Sequence, residues 1–316
     1  MKTYTKEIGV FLTIVALMLL LLWRASGFFA YGNLIDLFLT NMPVMIIAVG
    51  MTLIILTAQI DISIGSIFAV CSVVMGLCAS KGIPVFISAL IACAAGTLCG
   101  ALNGALVAYL RIPSIVTTLA TMVALRDGLR WYTQGAWVQG LNSGFQWFGL
   151  TTKSYTAITL LIVLLIVAAT AFALSHLRYG RAIIATGSHE AAAHQVGINT
   201  QRIVFSVFAF TGALTGLAAI LNTVRFNQVP SNAGLGLELK VIAAVAVGGA
   251  SITGGYATIT GTVLGVVLLG CIGSALTFLG INAYWEKAIQ GAIILIAVAT
   301  DTIQLHRRKN VSIVTA

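Results

Sequence analysis

Few side chains in this sequence could carry out chemistry. The strongest candidates are the acids inside its apolar stretches. Only 8% of the 316 residues are charged, and Asp61 is the most interior acid. An ionisable group inside a membrane is costly and often functional, so Asp61 could line a transport path or bind a proton. It could also cap the helix that follows, through a carboxylate oxygen that accepts a backbone N–H. We group Asp61 with Gln59, Ser63, Asn103 and Glu238 as candidates for a translocation path or for breaks in the helices.

Enzymatic chemistry is not favoured by the remaining motifs. The sequence contains no GxxxxGK[ST] loop and no Gly-Lys dipeptide, so it lacks the usual P-loop for ATP phosphates. No HExxH motif or Cys/His cluster predicts a metal site, and no carboxylate pair predicts hydrolysis. The five Cys lie in apolar runs without a CxxC motif, which is typical of small buried residues. We therefore expect no catalytic residue and no cofactor bound by this chain, and a membrane-embedded enzyme is the third-ranked hypothesis.

A second polar feature is the stretch of residues 178–202, the clearest interruption between two long apolar runs. It contains three Arg, two His and one Glu. The pattern predicts a short helix from Ser188 to Val196, because Ser188 suits the N-cap, alanines follow, and Gly197 suits the stop. Such a helix could be a handle for a soluble partner, or the stretch could be an ordinary loop between two spans.

The composition is that of a polytopic membrane protein. Mean hydropathy is +1.04, and 59% of the residues are apolar, more than a soluble domain of this size could hide from water. The net charge of +9 fits Lys and Arg at the ends of spans, near anionic headgroups, and does not call for a nucleic acid partner. We therefore predict an all-α fold that has the lipid bilayer as its main solvent.

The apolar runs predict the topology. A span needs about 20 residues, and we expect a single transmembrane domain over residues 1–316, with about ten crossings or near-crossings and some short or broken helices. A cytosolic N-terminus places residues 178–202 in the cytosol after six crossings, and further crossings return the basic cluster at residues 307–309 there. Residues 126–153 then form the longest outer loop, whose aromatic residues suit the membrane interface or an external docking surface. The distribution of Lys and Arg supports this orientation only weakly.

Small residues recur at spacings that let helices pack closely. Gly96, Gly100 and Gly104 form two overlapping GxxxG steps, and Gly212 and Gly216 form another. Such faces let helix backbones approach each other in lipid, where apolar side chains gain little by meeting. The pattern predicts a tightly packed bundle without indicating what it carries.

Several stretches resemble the signatures of the ABC-importer permeases for monosaccharides, the ribose, galactose, xylose and autoinducer-2 group. GMTLIILTAQIDISIGS at residues 50–66 resembles the GMT-xx-ILT-GGIDLSVGS signature, with Gln59 in place of a usual Gly. Three further segments resemble family patterns, at residues 103–122, 180–187 and 238–262, so that the likeness spans most of residues 34–300. The EAA-x3-G pattern of permease coupling loops fits imperfectly, because four residues separate Glu190-Ala191-Ala192 from Gly197.

The resemblance implies a mechanism and a set of partners. A permease of this family works as a dimer in the inner membrane, and a separate cytosolic ATPase docks on the loop at residues 178–202. A soluble sugar-binding protein, periplasmic or extracellular, delivers a small neutral sugar to the outer face. The candidate coupling residues are those of the short polar helix and its ends: Ser188, His189, Glu190, Ala191, Ala192 and Gly197.

Three questions stay open at the level of the sequence. An ion-coupled secondary transporter of a small polar solute is the alternative function, although such carriers usually need several buried ionisable groups. The sugar is also open. The segment YTQGAWVQGL at residues 132–141 resembles the branch that serves autoinducer-2 and deoxysugars such as rhamnose. Whether the permease pairs with itself or with a different subunit is likewise undecided.

Overall fold

The computed structural model describes residues 4–142, 144–282, 284–296 and 299, and this part of the chain is all-helical. Its only strand-like feature there is an isolated antiparallel bridge between Val138 and Val229. Two short 3₁₀ helices, Ser26–Phe29 and Gln146–Gly149, join longer elements. The basic cluster predicted to end the chain in the cytosol, at residues 307–309, lies outside the described residues.

The α-helices follow one another with short connections. In chain order they are α1 (Tyr4–Arg24), α2 (Tyr31–Leu56), α3 (Ile64–Ser80), α4 (Val85–Ala108), α5 (Ser114–Thr133), α6 (Thr152–His176), α7 (Arg178–Ser188), α8 (Glu190–Gln195), α9 (Thr200–Thr223), α10 (Leu237–Val247), α11 (Ile259–Phe278) and α12 (285–296). Within the described residues, six of these helices are long and apolar enough to cross a membrane, namely α1, α2, α4, α6, α9 and α11.

Helix α5 extends further than its sequence predicted, into residues that we assigned to the outer loop at 126–153. We expected it to end near Leu125 and an outer loop to begin at Arg126, but α5 continues to Thr133 and ends at Gln134 in the left-handed conformation. The helix can continue because the guanidinium of Arg126 is buried and satisfied by the carbonyl of Ala233, at 2.8 Å from Nη1. The outer segment therefore begins about eight residues later than predicted.

Helix α2 forms the centre of the bundle. Every residue from Asn41 to Leu56 is buried, and this helix has no distinct polar face. A helix that is apolar all round belongs in the interior, where other helices surround it. By contrast, α1 and α6 leave most of their apolar side chains exposed, as expected for helices that face lipid.

Helices α4 and α9 pack backbone to backbone through their glycines, as the GxxxG steps predicted. A Cβ atom added to Gly96 would stand 2.6 Å from the carbonyl oxygen of Gly212, and one added to Gly212 would stand 2.3 Å from that of Gly96. Gly100 meets the Cα of Gly212 in the same way. Both distances are shorter than van der Waals contact, so any larger residue here would push the two helices apart.

The connections between helices gather at two ends of the bundle. At one end, the N–H of Gly255 donates to the carbonyl of Leu56 at 3.0 Å, and a Cβ atom on Gly249 would stand 3.3 Å from the side chain of Lys6. At the other end, the N–H of Trp147 donates to the carbonyl of Val224 at 2.7 Å. Helices such as the 24-residue α9 separate the two ends by about 36 Å.

Candidate functional site

The helical course breaks between α2 and α3, at residues 57–63. Ala58 adopts a left-handed backbone with a φ of +60°, and the N–H of Gln59 donates back to a carbonyl near the end of α2 at 3.2 Å. The N–H of Ile60 donates to Ser114 Oγ at 3.2 Å. These bonds satisfy backbone groups that a continuous helix would pair, so the break is an ordered turn inside the bundle.

A buried polar network follows this turn and joins three of the candidate residues. Asp61 Oδ1 accepts from the backbone N–H of Ser63 at 2.8 Å and from Ser63 Oγ at 2.6 Å. Ser63 Oγ in turn accepts from Asn103 Nδ2 at 2.7 Å. All three side chains are almost completely buried, yet Asn103 Oδ1 has no partner among the described residues. The network therefore links the turn to α4 and leaves one acceptor free.

Asp61 supports α3 from outside its first turn. The N-cap position belongs to Ser63, which makes no side-chain cap bond, while Asp61 bonds to the N–H of Ser63 and not to one inside the helix. The alternative in which Asp61 is the N-cap residue of α3 is therefore wrong, because the N-cap lies two residues later, at Ser63. The carboxylate instead closes a small loop over two residues, an arrangement that short polar side chains commonly form before helices.

A second polar cluster surrounds the first turn of α3 and contains Glu238. A Cβ atom built on Gly65 would stand 2.1 Å from Glu238 Oε2 and 3.3 Å from Arg126 Nη2, so both side chains lie against this glycine. Arg126 also donates to the carbonyls of Ala233 and Gly234. Glu238 is buried in the first turn of α10, and its Oε2 has no hydrogen-bond partner among the described residues. Arg126 was not among the predicted site residues, because its position in the sequence indicated the start of an outer loop.

Residues 178–202 contain two short helices, α7 and α8, and the start of α9. Only Leu177, in an extended conformation, separates α6 from α7, and only His189 separates α7 from α8. The predicted short helix exists as α8, and Gly197 follows it with a φ of +83°. The N–H of Gly197 donates to the carbonyl of His194 at 3.0 Å, which closes the helix end as predicted for a glycine stop.

The N-cap of α8 is His189, and the prediction of Ser188 is wrong by one residue. Ser188 is the last residue of α7, and its Oγ donates to the carbonyl of Ile184 at 2.8 Å. His189 Nδ1 accepts the N–H of Ala192 at 3.2 Å instead. The next residue, Glu190, accepts from Thr200 Oγ1 at 3.1 Å, which ties α8 to the start of α9. The sequence could not show that the ring nitrogen of His189, and not the hydroxyl of Ser188, would accept the N-terminal N–H of α8.

The surface of α8 is open to solvent. His189, Glu190, Ala191 and Ala192 are exposed, whereas Ala193 is buried beneath them. Beyond the helix, Val196 has 76% of its surface exposed. Small and apolar side chains at the tip of a polar segment suit contact with another protein.

The break and the exposed helix share one cavity of about 780 Å³. Gln59 lines it from the break, and Glu190, Ala191 and His194 line it from α8. Arg111, in the turn between α4 and α5, lines it too and has a left-handed φ of +55°. The structure thus brings together candidate residues that we had assigned to two separate sites.

A junction of glycines fixes α7 and α8 to the core. A Cβ atom on Gly187 would stand 1.7 Å from the carbonyl oxygen of Leu56, and one on Gly255 would stand 2.6 Å from Ser188 Oγ. A Cβ atom on Gly254 would stand 2.6 Å from the Cβ of Ala58. The end of α7, the end of α2 and the turn before α11 therefore meet backbone to backbone. A displacement of α8 would reach the break at residues 57–63 directly through this junction.

Comparison with known families gives one match over most of the chain. Residues 33–298 match the family described as branched-chain amino acid transport system / permease component. The matched range contains the break, both polar clusters and the pair α7 and α8.

Individual relatives agree with the family match. The chain is 34% identical over 311 residues to the ribose import permease protein RbsC of Escherichia coli strain K12, and the aligned residues cover 95% of each chain. It is 32% identical over 302 residues to the autoinducer 2 import system permease protein LsrC of Photorhabdus laumondii, covering 94% of this chain and 89% of that one. It is 37% identical over 287 residues to the LsrC protein of Yersinia enterocolitica, covering 90% and 79%. No solved structure matches the chain.

Proposed function

The chain belongs to the branched-chain amino acid transport system / permease component family, and from this premise we propose that it is the transmembrane subunit of an ATP-dependent importer for a small neutral sugar or sugar-like molecule. Similarity along nearly the whole length to ribose and autoinducer 2 import permeases is the observation that carries the proposal. The importer then moves its solute across the inner membrane. An ion-coupled secondary transporter is not favoured, because these relatives are import-system permeases.

A separate ATPase subunit supplies the energy. The sequence has no P-loop of its own, and α8 offers an exposed surface of small side chains next to the exposed Val196. Residues 188–197 form the docking site, with His189, Glu190, Ala191 and Ala192 at its centre. The contact of Gly187 with Leu56 supports this assignment, since it gives the docked subunit a rigid connection to the core.

The chain crosses the membrane about ten times and forms a single transmembrane domain. In the described part of the chain, six helices are long and apolar enough to cross, and the shorter or more polar α3, α5, α10 and α12 are the further crossings or near-crossings that we propose. The start of α1 lies at the same end as α7 and α8, as the proximity of Lys6 to Gly249 indicates. The N-terminus is therefore cytosolic if the ATPase docks at α8, and a tenth crossing places the C-terminus there too.

The two polar clusters at the start of α3 line the solute path. Asn103 Oδ1 and Glu238 Oε2 are buried acceptors without a partner among the described residues, and buried acceptors are stabilised by hydroxyl donors. A neutral sugar carries such hydroxyls and needs no counter-ion. Gln59, Asp61 and Ser63 form the floor of this path, above the cavity that reaches α8.

Two further partners complete the importer. A second permease subunit forms the dimer, and a soluble sugar-binding protein delivers the solute at the outer end. Exposed aromatic residues at that end, among them Trp131, Tyr132 and Trp137, provide area for such a contact or for the membrane interface. Choice of the sugar rests largely with the binding protein; autoinducer-2 or a deoxysugar is the candidate that residues 132–141 suggest.

Substitution of an exposed alanine on α8 tests the docking site. Ala192→Trp places a large side chain on the docking surface without filling any buried space. Ala168→Trp is the matched control, because Ala168 is also an exposed alanine and lies on the lipid-facing helix α6. We expect Ala192→Trp to abolish co-purification of the ATPase subunit and ATP-driven uptake, and the control to retain both. Full uptake and normal ATPase binding by Ala192→Trp would contradict the proposed site.

A further inference from the structure

A groove with three arginines lies beside the proposed docking site, between α7 and the first turn of α9. We call it the arginine groove; it has a volume of about 590 Å³. Arg178 and Arg181 line it from α7, and Arg202 lines it from α9. Between them the floor is apolar and is formed mainly by Ala182, Ala185, Ile198 and Ile203.

The three guanidinium groups have no acidic partner in the described part of the chain. Each of the three side chains is exposed, and the lining of the groove contains no Asp or Glu. Arg181 Nη1 donates to the carbonyl of His176 at 3.1 Å, which holds this arginine at the rim. The only acid of the segment, Glu190, bonds to Thr200 and lines the other cavity. The groove therefore carries an uncompensated positive charge.

The groove adjoins the lipid-facing surface of the bundle. It begins where α6 ends, and the exposed side chains of Phe172 and Leu177 lie on that approach. Helix α7 buries Gly180, Ile183 and Thr186 against the protein at intervals of three residues, and it turns its arginines outward. An amphipathic helix that follows a membrane span at an angle lies in the plane of the interface, where its basic side chains meet headgroups.

We propose that the arginine groove binds the phosphate of an anionic phospholipid from the cytosolic leaflet. A planar guanidinium group can donate two parallel hydrogen bonds to two oxygens of one phosphate. The apolar floor accepts the first carbons of an acyl chain. The cytosolic leaflet is rich in anionic lipids. Tyr179 spans the groove, since its hydroxyl bonds to Ser206 on α9. The inference rests on the proposed cytosolic placement of α7 and α8, but not on the identity of the solute.

The groove differs in position and chemistry from the ATPase docking site. Arg202 and Ile203 face it from one side of α9, whereas Gln201 and Val204 face the cavity beneath α8 from the other side. A bound lipid would fix the angle between α6 and α7, and through the junction at Gly187 it would hold α8 against the core.

Lipid binding by the purified full-length permease tests the proposal without ATPase or sugar. The delipidated protein in detergent is titrated with dioleoyl phosphatidylglycerol and with dioleoyl phosphatidylcholine, and bound lipid is counted by native mass spectrometry. The groove variant replaces Arg178, Arg181 and Arg202 together by Gln. The control variant replaces Arg24, Lys81 and Lys153 by Gln, three exposed cations of other segments; it loses the same charge.

We expect wild type and the control to prefer phosphatidylglycerol and the groove variant to lose that preference. Each basic side chain near an anionic surface contributes about a fivefold factor, so the loss reaches about 100-fold. Equal preference in the groove variant and in wild type would overturn the proposal, as would full displacement of the lipid by inorganic phosphate at equal concentration. A groove variant that keeps the lipid preference but no longer retains the ATPase subunit would show an ATPase contact instead.

A second set of variants keeps the test independent of folding. Replacing the same three arginines by Lys preserves the charge but removes the paired donors, so we expect a preference between those of wild type and the Gln variant. Retention of the wild-type preference in the Lys variant, with its loss in a correctly assembled Gln variant, supports binding by charge at this groove. Absence of ATP-driven uptake by the wild-type permease, when that protein still prefers phosphatidylglycerol, would count against the proposed function and not against the lipid site.

Discussion

A single methyl group at Gly187 should disconnect the docking helix from the core. The added Cβ atom would stand 1.7 Å from the carbonyl oxygen of Leu56 and 3.0 Å from the nitrogen of Gly255. These two groups are joined to each other by a hydrogen bond of 3.0 Å. Neither neighbour is a flexible side chain that could turn away, so the backbone of α7 or of α2 must move by more than about 1 Å to restore van der Waals contact.

The cost of Gly187→Ala follows from these contacts. Overpacking at a rigid site costs about 1–3 kcal/mol, and loss of the bond between Gly255 and Leu56 adds about 1 kcal/mol, so we expect about 2–4 kcal/mol of destabilisation. Gly128→Ala is the matched control. Gly128 lies in α5 with no heavy atom within 4 Å of an added Cβ, so alanine there should be neutral or stabilise the helix by up to about 1 kcal/mol.

Thermal unfolding in detergent and ATP-driven uptake in proteoliposomes measure the two consequences. Gly187→Ala should lower the free energy of unfolding and reduce uptake at least tenfold relative to wild type, while the ATPase subunit still binds to α8. Gly128→Ala should match wild type in both assays. Wild-type stability and uptake in Gly187→Ala would refute the idea that this junction transmits movement from α8 to the break.

Substitutions at Asp61, at Arg126 with Glu238, and at His189 test the polar clusters and the helix cap. Asp61→Asn should assemble normally, because Asn Oδ1 can accept both bonds from Ser63, whereas Asp61→Ala should lose about 2 kcal/mol of unfolding free energy; normal assembly of Asp61→Asn without uptake would assign the carboxylate to the path. Arg126→Met should destabilise by about 1–3 kcal/mol because it removes the donor to the carbonyls of Ala233 and Gly234 and the positive charge near Glu238, and adding Glu238→Gln should restore part of the thermal stability; no recovery in the double variant would speak against an interaction between the two side chains. His189→Ala should reduce the affinity for the ATPase subunit, with a loss of about 1 kcal/mol of α8 stability, and His189→Asn should preserve it; equal affinities for the two variants would remove the capping role.

The helical class and the long spans could be predicted because they depend on local composition. A run of apolar residues of membrane length specifies a helix in lipid, where every backbone group must be paired within the segment. The glycine steps in α4 and α9 predicted close packing for a similar reason, because spacing on one helix face decides which backbones can approach. Gly197 ended α8 as predicted, since few other residues accept a positive φ.

The elements that sequence analysis missed depend on contacts between distant residues. α5 continues through Arg126 because a carbonyl more than 100 residues away accepts its guanidinium. Helix α7 is the exception: it is strongly amphipathic, with Gly180, Ile183 and Thr186 on its buried face, but its many polar residues led us to interpret residues 178–187 as part of a loop. The bond between Ser63 and Asn103 joins residues that are 40 positions apart. No local pattern predicts such contacts.

The energy source of uptake tests the central claim most directly. Proteoliposomes that contain the permease, its ATPase subunit and a sugar-loaded binding protein are assayed with ATP, with a non-hydrolysable ATP analogue, and with ATP plus a protonophore. The proposed function predicts uptake that requires hydrolysable ATP and continues when the proton gradient is collapsed. Uptake that continues with the analogue but stops with the protonophore would contradict it and would identify an ion-coupled carrier.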